Sequence, residues 1–565
     1  MSVQNNESAS PKHTGLAPLI LMVLVFLYLM IYILPTNIHG DGRFHTLYAR
    51  EIVETGELLE HQPYEIMCIE DGEKVMMPIS YPLTSHILIG LFYMLGEETA
   101  VKLFSPILAM LTAVFIYLLL SPLSKPGAFV AAILAILLNN ERFVMVPLME
   151  QLLLFGMVAS IYFYYRWLNG QQKKYAILTG LFLGLVLATK QQGLIFVGIL
   201  LLLAFLAGVF RGERSRKTTI LKQLVLVTVL AIIIGAGPVL DQIDRNGTFE
   251  AIPANSGLPF LESHYPLDKE ATQELENIIE YRPGYTSLGE TVATYALIPG
   301  LYSKSIRVVQ FLTDELFLLP LLLLLLAIPS LVYLSGISYL FHKDKLLLAI
   351  LLMLLAAEVC ITYLTDTHPY QYHNIAVAIV GILLVFGLLR IKNIWKSITS
   401  KRIVRQSITA VIVLGILIGY VAFVGIHSWG DSGRYDDYHV RAYQEMGDFV
   451  QDNTPEDAIF LAGGGTGTAF TYYSNRTIFW LSEGGGAKVP LIFRSSDKDE
   501  ALYWLEHYEI DYIFIDHRQL TREGVTDHIP EDGLPMYIDS YPEHFTRTHS
   551  VYSDDQILAL YEVIS

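Results

Sequence analysis

Long apolar runs separated by short polar ones fill the first 430 residues; after that the chain shows the shorter alternations of a soluble α/β unit. Runs of about 18 nearly uncharged residues match the thickness of a hydrocarbon core. The pattern predicts eleven spans, at 16–34, 100–120, 127–138, 147–165, 175–188, 193–210, 221–240, 311–340, 346–364, 375–389 and 404–426. Three of them, 127–138, 175–188 and 375–389, are short and are expected to run on into their flanks. The 311–340 run holds Pro320 and Pro329, which predicts a kink or a tilt. Segment 82–95 is different: it is only 14 residues long, contains Ser85 and His86, and is followed by Gly96-Glu97-Glu98. Such a segment is expected to be interfacial or re-entrant rather than spanning.

Three polar regions interrupt the runs. In the first, 36–81, Phe44, Leu47, Tyr48, Ile52 and Val53 recur at helical spacing, which predicts an amphipathic helix over 42–54 lying at the interface. The second, 241–310, has the length of a functional lid and is expected to hold a helix near 269–279. The third begins after residue 428. It predicts a helix at 443–451, strands at 458–461 and 478–481, a helix at 498–507, a strand at 512–515 and a final strand pair at 549–553 and 558–563. Alternation of this kind favours a mostly parallel sheet covered by helices.

Composition sharpens this outline. Of 565 residues, 53% are hydrophobic and 16% charged, and the mean hydropathy is +0.44. A soluble chain of that make-up would leave too much apolar surface in water. The fold class expected is a polytopic α-helical membrane protein with a C-terminal soluble α/β domain. The charge of −17 is uneven: residues 431–565 hold 25 acidic and 9 basic residues, net −16, which leaves −1 for residues 1–430. An acidic tail argues against a nucleic-acid partner. With eleven spans, the connections 121–126, 166–174, 211–220, 341–345 and 390–403 share one side and carry fifteen basic residues against Glu213 and Asp344 alone. The positive-inside rule makes that side cytoplasmic. The expected organisation is a cytoplasmic N-terminus at 1–15, a membrane domain at 16–428 with outer loops 36–98 and 241–310, and an extracytoplasmic domain at 429–565. The first run continues without a small-residue cleavage pattern and reads as an anchor. The sequons at Asn246 and Asn475 agree with an outer location. Cys68 and Cys360 form neither a disulfide framework nor a zinc pattern.

Several polar residues fall on the outer side of this layout. Asp41 and His45, four residues apart, share one helical face. Asp41 reads either as a helix cap or as a general base at the water–membrane boundary. His39, Asp41 and His45 could also hold a metal. Glu150 opens a span behind Pro147 and reads as a dipole partner, as an ion-pair partner of Arg142, or as a second active-site carboxylate facing Asp41. Lys190, between two apolar runs, is a cation away from the basic side; it reads as a snorkelling turn residue or as a phosphate ligand. The turn 365–374 gathers His368, Tyr370, Gln371 and Tyr372 at membrane level, an aromatic belt or a headgroup and sugar site. Glu358, inside a span, is a functional or paired carboxylate. Gly463–Thr468 reads as a tight strand–helix turn, with no complete phosphate-loop pattern.

An acid just after the first span, followed by an interfacial helix, resembles the GT-C glycosyltransferases, and among them the protein O-mannosyltransferases and aminoarabinose transferases. The residues that carry the resemblance are Asp41, Gly42, Arg43, Phe44, His45 and Ala49; then Tyr81-Pro82-Leu83 leading into His86; Glu150 at the head of a span; Gly184, Leu185, Thr189 and Lys190; and the turn His368–Tyr372. It covers residues 16–200 best. Two departures stand out: Gly42 replaces the family's frequent second acid, and His45 stands where the family has Tyr. The resemblance implies a polyprenyl- or dolichyl-phosphate-linked sugar as donor and a protein, glycan or lipid acceptor. It implies Asp41 as base, Lys190 near the donor phosphate and inversion at the anomeric carbon. The substrate-binding set it suggests is His45, Tyr81, His86, Arg142, Lys190, His368, Tyr370, Gln371 and Tyr372, with Asp41 and Glu150 catalytic. No cofactor is implied, and a divalent cation stays open. Two other readings of the chain are a transporter or flippase using Glu358, Glu150 and Lys190 as a relay, and an assembly protein whose tail binds a partner.

Overall fold

In the computed structural model, the apolar runs fold as helices at the expected places. The structure describes residues 16–33, 38, 41–59, 61–70, 73–78, 83–138, 149–190, 192–210, 214–246, 319–365, 374–398, 437–462, 464–479, 492–493, 495–517, 533–553 and 556–564. Tyr81, Arg142, the turn 365–374 from residue 366 on, the predicted helix 269–279 and the expected span 404–426 lie outside them.

The N-terminal helical part comprises α1 (Ala17–Ile33), α4 (Phe104–Leu120), α5 (Lys125–Leu138), α6 (Met149–Gly170), α7 (Lys173–Thr189), α8 (Gln192–Phe210), α9 (Arg214–Asn246), α10 (Leu319–Lys343), α11 (Lys345–Thr365) and α12 (Asn374–Ile398). Two of the runs that were too short, 175–188 and 375–389, extend into polar flanks, because nothing ends a helix until a glycine, a loop or the next turn intervenes. Gly193–Phe210 and Ser215–Pro238 are each long and apolar enough to cross a membrane by themselves. One apolar core joins these helices, from Leu21 on α1 through Trp167 on α6 to Phe386 on α12. Close approach at α10 and α12 depends on two glycines. A Cβ on Gly336 would sit 2.2 Å from the Leu383 carbonyl oxygen, and one on Gly387 would sit 2.0 Å from that of Val332. Helices pack backbone to backbone there, as small residues allow.

The amphipathic pattern at 42–54 forms α2 (Asp41–Thr55), and 82–95 forms the first part of α3 (Thr84–Val101). Non-helical backbone at Gly96 and Glu97 breaks α3, and the pair α3–α4 bends by 97°. α2 lies against α3, with Ile38, Ala49, Ile89, Phe104, Leu108 and Leu152 in one cluster. Of the apolar stripe read from the sequence, Leu47 and Tyr48 are buried, while Phe44, Ile52 and Val53 are half-buried.

The C-terminal part contains α13 (Asp437–Asn453), β3 (Ile459–Ala462), α14 (Gly464–Ser474), β4 (Thr477–Phe479), α15 (Lys498–His507), β5 (Tyr512–Asp516), α16 (Leu534–Tyr537), β6 (Phe545–Ser553) and β7 (Gln556–Val563). Asp497 caps α15, accepting from the Asp499 N–H at 2.9 Å. Two findings correct the expected sheet. First, the outer loop 36–98 supplies a hairpin, β1 (His61–Glu70) and β2 (Glu73–Pro78), which joins it. The order is β2-β1-β4-β3-β5-β7-β6. Second, the sheet is mixed: β1–β4, β4–β3 and β3–β5 are parallel, whereas β1–β2, β5–β7 and β7–β6 are antiparallel. Alternate residues bury opposite faces. Ile459, Leu461, Ile513 and Ile515 pack under α15, while Phe460, Ala462, Phe514 and Leu560 pack under α13 and α14.

Candidate active site

Four helices bring the described site together. Lys190 is the residue at which α7 ends, with extended backbone (φ −160°, ψ 150°), so its side chain leaves the helix axis. The turn that follows is closed by the Gly193 N–H on the Lys190 carbonyl at 2.9 Å. A Cβ on Gly193 would lie 2.3 Å from the Val186 carbonyl oxygen, so only glycine lets α8 return this tightly. Across from it, Glu150 sits in the first turn of α6. Lys190 Nζ donates to Glu150 Oε1 at 2.5 Å, with the residues 4% and 7% exposed. A buried pair like this has lost its water, and each charge depends on the other.

His45 of α2 and His86 of α3 stand beside the pair, 3% and 0% exposed. His45 Nδ1 and His86 Nε2 share one hydrogen bond of 2.9 Å. Tyr48 stacks on the His86 ring at 4.9 Å between centroids. Burial lowers the His45 imidazole to about 4; Glu150 opposes the shift and Lys190 adds to it. His45 is thus neutral at pH 7, able to pass a hydrogen bond but not to supply charge. The facing nitrogens of the two histidines are spent on each other. Among the described residues no three His, Cys, Asp or Glu side chains converge on a metal position; His39 and the Asp41 side chain lie outside those residues.

Asp41 is the first residue of α2; its side chain lies outside the described atoms, as does that of Glu358. The residues predicted from sequence that the structure brings together are therefore His45, His86, Glu150 and Lys190. Tyr81, Arg142, His368, Tyr370, Gln371 and Tyr372 belong to undescribed segments.

Sequence reasoning missed the C-terminal domain's reach into this region. Arg50 of α2 donates to Asn475 Oδ1, and the Tyr472 hydroxyl donates to Glu98 of α3. The Asn475 sequon is thus occupied by an arginine contact. Tyr64 of β1 donates to Glu51 of α2 at 2.7 Å. A signal for the hairpin was present: Asp71-Gly72 separates the two strands, and that dipeptide is a strong two-residue hairpin cue.

Comparison with known proteins gives an independent line. Residues 19–238 match the family of dolichyl-phosphate-mannose-protein mannosyltransferases. No curated protein matches the chain by sequence. Among solved structures, the chain is similar to ArnT from Cupriavidus metallidurans bound to undecaprenyl phosphate, with a TM-score of 0.54 and 12% identity over 97% of this chain and 98% of that one. The same protein in its apo state gives a TM-score of 0.54 and 13% identity, covering 96% and 97%. At such identity the likeness is one of fold.

Proposed function

From a chain with the GT-C glycosyltransferase fold, whose N-terminal region matches the protein mannosyltransferase family, we propose an integral-membrane transferase that moves a sugar from a polyprenyl-phosphate carrier to an acceptor on the extracytoplasmic face. The observation that carries this is the buried Lys190–Glu150 pair beside α2. A cation held at the mouth of a helix bundle, away from the basic connections, suits a lipid phosphate.

The roles follow from the chemistry. An acceptor hydroxyl or amine attacks the anomeric carbon, and its proton passes to Asp41. The bond from that carbon to the phosphate oxygen breaks, and the phosphate leaves with the electron pair. Lys190 donates to it, so negative charge develops against a fixed cation in a site with little water. Glu150 is engaged with that lysine, which assigns it to aiming Nζ and leaves base work to Asp41. The neutral His45–His86 pair borders the site without adding charge that would compete with Lys190. Attack opposite the leaving phosphate inverts the anomeric centre. Holding donor and acceptor in line contributes much of the rate.

The test uses the full chain in nanodiscs with undecaprenyl- and dolichyl-phosphate-linked mannose, glucose and aminoarabinose. One donor is consumed with release of the polyprenyl phosphate. Asp41→Asn lowers turnover by about 100-fold or more, the usual size of a lost general base, and leaves donor affinity within about twofold. Wild-type turnover in Asp41→Asn, or solute movement across a bilayer without any donor, overturns the reading.

A further inference from the structure

We infer that Arg43 and Tyr473 are positioning residues, through which the C-terminal domain fixes the start of α2, the helix that Asp41 opens. The inference rests on the proposed role of Asp41 for its catalytic meaning.

Arg43 lies two residues beyond Asp41. Its Nε donates to the carbonyl oxygen of Ile38 at 2.7 Å, bridging backwards over the start of α2. Ile38 is buried against Ala49 and Leu152, so the far end of this bridge is anchored in the membrane domain. The near end is held by the C-terminal domain: the guanidinium carbon lies 5.3 Å from the centroid of the Tyr473 ring. A guanidinium over an aromatic face is an attractive, directional contact, and partial desolvation strengthens it. One arginine therefore ties residue 38, the first turn of α2 and a distant domain together.

The tyrosine is itself fixed from behind. Gly447 of α13 packs on its backbone, and a Cβ there would meet the Tyr473 carbonyl oxygen at 2.6 Å. α13 and α14 both rest on the sheet through Tyr443, Met446 and Phe470. A path of packed elements thus runs from sheet to Tyr473, to Arg43, to the first turn of α2.

A second contact supplies an internal control. Arg50 follows Arg43 by seven residues, two helical turns, on the same stripe of α2. It donates to Asn475 and lies 5.9 Å from the Tyr472 ring centroid. This contact docks the domain two turns further along α2. If both contacts were merely docking, breaking either would have the same effect.

The experiment is hydrogen exchange on the full chain in nanodiscs, reading amides 38–48. Tyr473→Leu speeds exchange there by about tenfold, while α4 to α6 and the affinity for undecaprenyl phosphate stay within about twofold of wild type. Tyr473→Phe, which keeps the ring face but loses the hydroxyl's contact with Arg43, speeds exchange less than Tyr473→Leu. Arg43→Lys, which keeps the charge but loses the Nε bond to Ile38, behaves as Tyr473→Leu and serves if that variant fails to fold. Asn475→Ala leaves 38–48 unchanged. With the donor that the wild type consumes in the panel above, Tyr473→Leu lowers kcat by about tenfold at constant KM, as expected when only the transition state loses an interaction. Unchanged exchange at 38–48 in both Tyr473→Leu and Arg43→Lys overturns the proposal, as does exchange in Tyr473→Phe as fast as in Tyr473→Leu. Loss of protection spread evenly over the whole bundle also overturns it, because it would mark a structural role alone. Wild-type turnover in Asp41→Asn would sink the base assignment and leave the exchange result standing.

Discussion

Glu65 is a carboxyl with little to hold it. It is 2% exposed on β1, and its Oε2 has no hydrogen-bond partner among the described residues. It pairs across the ladder with Ile478, on the sheet face covered by α14. Burial raises its pKa to about 8, so the folded chain keeps it protonated at pH 7. The direction of the pH effect follows. An acid whose folded pKa is raised favours folding fully below its unfolded value near 4.5, and this stability is lost as pH climbs towards 8. Glu65→Gln removes the titration. It should stabilise the chain at pH 8 by about 1–3 kcal/mol more than at pH 5, read as the shift in melting midpoint at the two pH values. An equal shift at both would show that Glu65 does not titrate in that window. Residue-level legibility was uneven for a related reason. Glu150, Lys190, His45 and His86 stood out because each is polar in an apolar setting. Glu65 did not, because the apolar stretch that follows it, Ile66 to Ile69, is too short to mark a buried strand by itself.

At the scale of elements, α2 was readable nearly to the residue, since 42–54 carries its own apolar stripe and the helix runs over 41–55. The hairpin at 61–78 was not. Its strands contain Pro63 and a positive φ at Tyr64, and the pairing between them slips twice in register. Strand alternation is lost under such irregularity. Helix packing was equally silent in sequence, because a glycine in an apolar run looks the same whether or not a neighbour touches it. Gly387 and Gly237 make the contrast testable. Gly387→Val places a side chain where the Val332 carbonyl lies, and should cost about 1–3 kcal/mol by forcing α10 and α12 apart. Gly237→Ala meets nothing within 4 Å on α9 and should be neutral or slightly stabilising. Thermal aggregation midpoints in detergent separate the two; equal midpoints would contradict the packing argument.

At the scale of the whole molecule, the domain boundary near 429 marks a change of composition but not the edge of a cooperative unit. The sheet takes β1 from the first outer loop and β4 from the C-terminal part, pairing Glu65 with Ile478 and Ile66 with Phe479. A chain ending at residue 436 therefore leaves β1 as an open edge beside a two-stranded ribbon, which is marginal by itself in water. Amides 61–70 should lose exchange protection in that truncated chain, while α4 to α6 keep theirs. Protection retained at 61–70 would mean that the hairpin is stable without the sheet.

What the sequence determined alone is what neighbours in the chain can encode: where apolar runs begin and end, which stripe of α2 is apolar, the tail's strands and its helices α13 and α15 (but not α14, which occupies the expected Gly-rich turn), and a set of polar residues out of place. Span length and periodicity depend on local steric and solvation terms, so they survive without knowledge of the fold. Tertiary structure decided the pairings. Lys190 meets Glu150 across 40 positions, His45 meets His86 across 41, and Arg50 meets Asn475 across 425. It also turned a polar loop into two strands of a seven-stranded sheet. Each of these contacts depends on the path of all the chain between its partners, and no local pattern records that path.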